Sequence, residues 1–352
     1  MTVPPEHPEP GGGRGAGAGD GPERDTAPLS ALGADAPVSV VVPARDAADV
    51  VGRALASALG QDRVVEVVVA AADAPTREAA EAVADRDPRV RVIDNPSGRT
   101  PDALNLAIGA SRGEVVVRLD AHAELPDGYV PTAVATLAET GAANVGGSQV
   151  PTATRGFARA VAAAMRSPVG AGGATYRVGG AAGPVDTVYL GVFRRAALDV
   201  VGGFDPRFER NQDAELNLRL RRAGFVVWFE PELSVAYRPR TTIRGLASQY
   251  LQYGRWRRLT VRTHPGSIAP RQLAPPLLLA ALASACVVSI AAGSAIPLGL
   301  TAAVYVAGLI LAAVVAVPTL WLVPATVVAF ATMHLAWGVG FLLGPPRREH
   351  RG

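Results

Sequence analysis

The stretch VSVVVPARDAADVVGRALASALGQDRVVEVVVAAADAPTREAAEAVADRDPRVRVIDNPSGRTPDALNLAIGASRGEVVVRLDAHAE, residues 38–124, decides the fold. Four runs rich in β-branched residues, at 38–44, 64–72, 90–94 and 114–124, alternate with helical apolar spacing. The first spacing runs through Val50, Leu55 and Leu59, and further helices are predicted at 75–86 and 102–113. The runs lack polar alternation, as expected of strands buried on both faces of a parallel sheet. Strand–helix alternation predicts βαβ units, an α/β fold. Right-handed crossovers then gather the ligand loops at the carboxyl ends of the strands. Helices are also predicted at 132–141, around Arg194–Val201 and at 211–225, and a strand-turn-strand at 226–239.

Outward from this core, residues 1–36 are rich in Gly, Pro, Ala and charge, and are expected to be disordered. They hold no apolar core of signal-peptide type. At the other end, Ala274–Gly344 contains no Asp, Glu, Lys or Arg over 71 residues. A spanning helix needs roughly 20 apolar residues, so three spans are predicted, at about 276–295, 298–317 and 322–343. Three spans without an acid or base give a transporter no polar pathway. Arg255, Arg257, Arg258, Arg262 and Arg271 precede the first span, and Arg347, Arg348 and Arg351 follow the last. The denser basic side is expected to be cytoplasmic, although an odd number of spans puts the short tail against that rule.

The 352 residues carry a small net charge of +3, and no nucleic-acid partner is expected. Every basic residue apart from histidine is arginine; the chain has no lysine. Any phosphate must therefore be met by Arg, backbone N–H or a metal. The one cysteine, Cys286, lies in an apolar run, which excludes an intrachain disulfide and argues against zinc or redox chemistry.

Three features can carry chemistry. Asp120 and His122 follow the fourth run, and on an extended chain residues two apart face one side. They can converge on a divalent ion, Mn²⁺ or Mg²⁺; equally, Asp120 can cap the next turn and His122 stand in solvent. Asp213 opens a predicted helix, either as a capping or dipole-stabilising acid or as a general base. Gln252, Tyr253, Arg255 and Trp256 lie in an amphipathic helical pattern. That pattern suits an interfacial helix with snorkelling arginines, and also an Arg on a diphosphate with an aromatic on a sugar ring.

In this order the motifs resemble glycosyltransferase family 2. VSVVVPARDAADVVGRALASALGQ is similar to its opening strand and helix. GEVVVRLDAHA is similar to the strand with the D-x-D metal motif, VGGFDPRFERNQDAELNLRLRRAG to the G-G-F-D and E-D segments, and QYGRW to Q-x-x-R-W. Within the family, bacterial exopolysaccharide enzymes of the succinoglycan type look most similar. The resemblance implies a GT-A catalytic domain with a Rossmann-like, mostly parallel sheet, followed by C-terminal transmembrane helices. The expected units are a 1–36 disordered segment, a 37–241 catalytic domain, a 242–272 interfacial helix region, a 273–344 anchor and a 345–352 basic tail.

It also implies an inverting hexosyltransferase that moves sugar from a UDP- or GDP-sugar to a membrane-associated glycan or lipid-linked acceptor. The setting is the bacterial inner (plasma) membrane, multi-pass, with the catalytic domain cytoplasmic. Pro43, Asp46, Asp73 and Arg99 would touch the nucleotide, and an ion on Asp120 and His122 the diphosphate. Asp213 would be the base, and Gln252, Arg255 and Trp256 would close the site. Three departures stand out: D-x-D is Asp120-x-His122, E-D is Gln212-Asp213, which keeps the base, and the nucleobase acid at the end of the second strand is missing, with Asp73 one or two positions late. Two rivals are a polyprenyl-phosphate glycosyltransferase, with little need of a base, and a non-catalytic nucleotide-sugar-binding membrane protein.

Overall fold

A computed structural model describes residues 29–33 and 35–345. The expectations of disorder at the N-terminus and of a basic tail fall largely outside the described residues.

The four runs are strands β1 (Val38–Ala44), β2 (Val64–Ala71), β3 (Val90–Asp94) and β4 (Val115–Arg118). Between them lie α1 (Val51–Leu59), α2 (Ala74–Ala84) and α3 (Thr100–Ala110). Then come α4 (Tyr129–Thr140), β5 (Asn144–Pro151), α5 (Gly156–Arg166), the one-turn α6 (Pro168–Ala171) and α7 (Thr175–Val178), β6 (Gly183–Pro184), β7 (Tyr189–Arg194), α8 (Arg195–Val201), α9 (Gln212–Arg222) and β8 (Val227–Tyr237). The chain ends in α10 (Ile243–Thr263), α11 (Ala274–Ala291), α12 (Ile296–Ala316) and α13 (Val323–Leu343).

One eight-stranded sheet has the order β3-β2-β1-β4-β7-β5-β8-β6. β1 pairs parallel with β2 and β4, and β2 pairs parallel with β3. All of β1 except Pro43 is buried, which is why its sequence shows no alternation. β7 runs antiparallel between β4 and β5, so the sheet is mixed, though mostly parallel. The register sets Ala44 beside Ala71, and Ala71 beside Asp94. The loops after β1, β3 and β4 therefore leave from one edge.

The strand-turn-strand reading of 226–239 is corrected to one strand with a bulge. Gly146 pairs with Phe229 but Ser148 with Ser234, so Glu230–Glu232 loop outward as exposed or part-exposed residues. A polar, proline-containing EPE sequence reads locally as a turn; the partner strand on both sides keeps it in the ladder.

Three C-terminal helical segments are long and apolar enough to cross a membrane. They begin close to the predicted cuts because Pro297 and Pro324 sit in the first turns of α12 and α13, where a missing N–H costs nothing. Ile290, Ile296, Leu300, Val304, Leu311 and Val315 are exposed, an apolar surface suited to lipid. Helix α10 packs along α13 at backbone distance. A Cβ on Gly254 would lie 2.1 Å from the Trp337 carbonyl oxygen, and one on Gly340 2.1 Å from that of Leu251. Small residues permit such approach. An apolar cluster containing Met165, Tyr250, Leu309 and Phe330 joins α5, α10, α12 and α13. The sheet domain is thus joined to these C-terminal helices by packing as well as by chain connection.

Gly254→Ala should lower the melting temperature of detergent-solubilised protein, corresponding to an overpacking cost of about 1–3 kcal/mol. Gly299→Ala on α12, where a Cβ meets nothing within 4 Å, should leave it unchanged or slightly raised. Equal effects at the two positions would contradict the close α10–α13 contact.

Candidate active site

The carboxyl edge of the sheet opens into a cavity of about 1380 Å³. Pro43 and Asp46 enter it after β1, Asp120 and His122 after β4, and Asp213 from the first turn of α9. These five predicted residues are brought together.

Asp120 and His122 meet the cavity by a different route from the one expected. β4 ends at Arg118, and residues 120–123 form a turn in which Ala123 N–H donates to the Asp120 carbonyl at 2.9 Å. The turn, not the pleat of a strand, presents both side chains. Asp120 Oδ1 accepts from Arg118 Nε at 2.9 Å, and the other carboxylate oxygen has no protein donor among the described residues. His122 is exposed to the cavity. No third His, Cys, Asp or Glu joins them among the described residues. One carboxylate oxygen and one imidazole fit a cation that completes its shell with phosphate oxygens and water, the usual habit of Mg²⁺.

Arg118 is the centre of the site. Its side chain is 6% exposed and forms ion pairs with both Asp120 and Asp213. Burial disfavours its charge, but the two carboxylates outweigh that and hold it protonated. Asp213 is 38% exposed and lines the cavity. Burial pushes its carboxyl above the ordinary range, Arg118 opposes the shift, and the Asp120 charge adds to it. Two residues on, fully buried Glu215 is fixed by Arg219 at 2.7 Å and by His264 Nε2 at 2.9 Å. That contact ties α9 to the end of α10.

Other predicted residues take structural positions. Asp73 does not line the cavity. Its carboxylate accepts from Asp46 N–H at 2.8 Å and from Thr76 N–H at 3.0 Å, capping α2 and pinning the loop after β1. The Asp46 N–H, with the Thr76 contacts, holds it below the usual carboxylate range. Arg99 pairs with Asp102 at 2.7 Å, also off the cavity wall. Gln252, Arg255 and Trp256 are corrected too: none lines the cavity, and Trp256 is buried. Helical phase explains this. The side of α10 at Leu251, Gly254 and Arg255 lies against α13, so Gln249, Tyr250, Tyr253 and Arg257 face the cavity instead.

Residues 39–202 match the family described as glycosyl transferase family 2. The succinoglycan biosynthesis protein ExoA of Rhizobium meliloti (strain 1021) is 34% identical over 277 residues, 76% of this chain and 81% of that protein. The chain belongs to glycosyltransferase family 2. Among solved structures, a mannosyltransferase, PcManGT from Pyrobaculum calidifontis, in complex with GDP-Man and Mn²⁺, superposes with a TM-score of 0.58. It is 21% identical, over 85% of this chain and 87% of that one. The fold is therefore GT-A, carried on a membrane anchor. The protein is a glycosyltransferase of polysaccharide biosynthesis.

Several residues of this glycosyltransferase site escaped the sequence reading. Arg118 carried a signal, since a charge in the strand VVVR demands a buried acid. Gln149 and Tyr189 also line the cavity, but they come from β5 and β7, whose glycine-rich surroundings hide the strands. Arg118→Gln should cost up to about 3 kcal/mol, the low end for a broken buried pair, because Asp213 is part-exposed. Unchanged thermal stability in detergent would show that Asp120 and Asp213 do not depend on that charge.

Proposed function

We propose that the chain is an inverting glycosyltransferase that moves a sugar from a nucleotide-diphosphate sugar to a membrane-associated glycan or glycolipid acceptor. The observation that carries this is the convergence of Asp120, His122 and Asp213 on one cavity beside Arg118. Supporting it, the donor's nucleotide would lie along Pro43 and Asp46 at the carboxyl edge of β1. Asp120 and His122 would hold a divalent cation, Mn²⁺ or Mg²⁺, which when bound neutralises charge on the departing diphosphate. Asp213 takes the proton from the acceptor hydroxyl. Its environment suits that role: burial raises its basicity, while Arg118 keeps it oriented and ionised. The hydroxyl attacks the anomeric carbon opposite the leaving diphosphate, so one displacement inverts the centre.

The division at 37–241, 242–272 and 273–344 suits this reading, with the catalytic unit on the cytoplasmic side of the bacterial inner membrane. The arginines at the α10 end favour that side. UDP- and GDP-sugars are the donor classes, and hexosyl transfer is the reaction proposed.

Asp213→Asn should lower transfer by about 10²–10⁴-fold, the usual worth of a general base, while nucleotide binding by titration stays near wild type. Turnover within a factor of a few of wild type would remove Asp213 as the base. That result would favour a lipid-phosphate acceptor, which needs little deprotonation.

A further inference from the structure

The cavity does not stop at the reacting centre. It continues to the membrane helices, where Pro275 and Leu278 of α11 and Met333 and Trp337 of α13 line its wall. Arg177, contributed by α7, lines the same cavity. Its guanidinium lies over the rings of Tyr176 at 5.4 Å and Tyr253 at 5.5 Å, and Nη1 donates to the Tyr250 hydroxyl at 3.1 Å. Its Nε is buried with no hydrogen-bond partner, and no carboxylate pairs with it among the described residues. A part-buried guanidinium whose partners are neutral aromatic groups is under-compensated.

Of the other arginines that line the cavity, three gather at one acid. Arg221 and Arg271 share one acid, Asp186, at 3.3 and 3.5 Å. Arg257 lies nearby, with its Nε also buried and unpartnered. Burial, and the like charges of Arg271 and Arg221, pull its pKa down, although Asp186 opposes them. Arg221, Arg257 and Arg271 thus gather at one carboxylate, Asp186, and Arg177 lines the same cavity without a carboxylate partner among the described residues. In a chain without lysine, a phosphate in this cavity must draw on arginine side chains.

We infer that this membrane-side end is a phosphate site, built by Arg177 with Arg257 and Arg271, for an acceptor whose phosphate or diphosphate is joined to a long apolar chain. The proposal rests on the reading of the chain as a transferase acting on a membrane-bound acceptor, and it assigns that acceptor's anionic group to named residues. Guanidinium forks pair bidentately with phosphate oxygens. The aromatic cage fixes Arg177 before the ligand arrives, and the apolar wall of α11 and α13 accepts the first part of the chain. No bond changes at this end; anchoring the phosphate here sets how far the acceptor's sugar reaches toward Asp213.

The full chain in phosphatidylcholine nanodiscs can be titrated with farnesyl diphosphate, followed by tryptophan fluorescence, since Trp337 lines the site. Farnesol and inorganic pyrophosphate should each bind more weakly than farnesyl diphosphate. Arg177→Ala should weaken farnesyl diphosphate by roughly tenfold or more, the worth of charge-assisted hydrogen bonds. Binding of UDP or GDP with Mn²⁺ should not change in that variant. An equal loss of nucleotide binding would assign the arginines to the donor and overturn the proposal. Displacement by phosphatidylglycerol at matched concentration would reduce the site to a general anionic-lipid contact, also against it. If Arg177→Ala fails to fold, Arg271→Ala at the more open rim decides: weakened farnesyl diphosphate binding supports the site, unchanged binding contradicts it. Binding needs no turnover, so absent transfer activity and an absent phosphate site are separate results.

Discussion

The site depends on one buried cation. Arg118 ends a central strand and forms ion pairs with Asp120 on the following turn and with Asp213 on α9. Without it, two carboxylates would face each other across an enclosed cavity and repel or take up a proton. With it, one guanidinium stands between the two carboxylates. The arginine also links two parts of the chain 95 residues apart, so the sheet edge and helix α9 are set relative to one another by the same contact.

A second constraint concerns the joint between protein and membrane. Helix α10 packs on α13 through Gly254 and Gly340, close enough that no side chain fits between the backbones. Its other side turns Gln249, Tyr250, Tyr253 and Arg257 into the cavity. One helix therefore forms a wall of the cavity and seats the catalytic unit on the spans. His334 in α13 reinforces this, with Nε2 2.9 Å from the Val169 carbonyl oxygen at the start of the loop that carries Arg177. The cavity wall is shared between the sheet domain and the apolar C-terminal helices.

Much of the fold was legible because its first half obeys local rules. β3 occupies the predicted 90–94, and β1, β2 and the three spans fall close to the predicted ranges. Buried parallel strands write themselves as unbroken β-branched runs, and lipid-facing helices as uncharged tracts. β5 and β7 were hidden because NVGGSQVP and YLGVFR borrow stability from neighbouring strands rather than from their own sequence. Motif order singled out Asp120, His122 and Asp213, and all three line the cavity. Gln252, Arg255 and Trp256 were misplaced because a motif does not carry helical phase: only the contact with α13 fixes which side of α10 faces inward. Asp73 looked like a base-binding acid by position, but the open N–H groups of Thr76 and Asp46 claim its carboxylate. Arg177 had no local signal at all, sitting on the one-turn α7 in a glycine-rich stretch, with Tyr250 and Tyr253 distant in sequence.

The central claim is a single displacement, with leaving diphosphate and attacking hydroxyl on opposite faces of one sugar. Proton NMR of the product tests it most directly, using a UDP- or GDP-sugar of defined anomeric configuration that the enzyme accepts. The anomeric coupling constant reports the configuration of the new linkage. The account predicts inversion, a β-linked product from an α-linked donor; a retained configuration would contradict it.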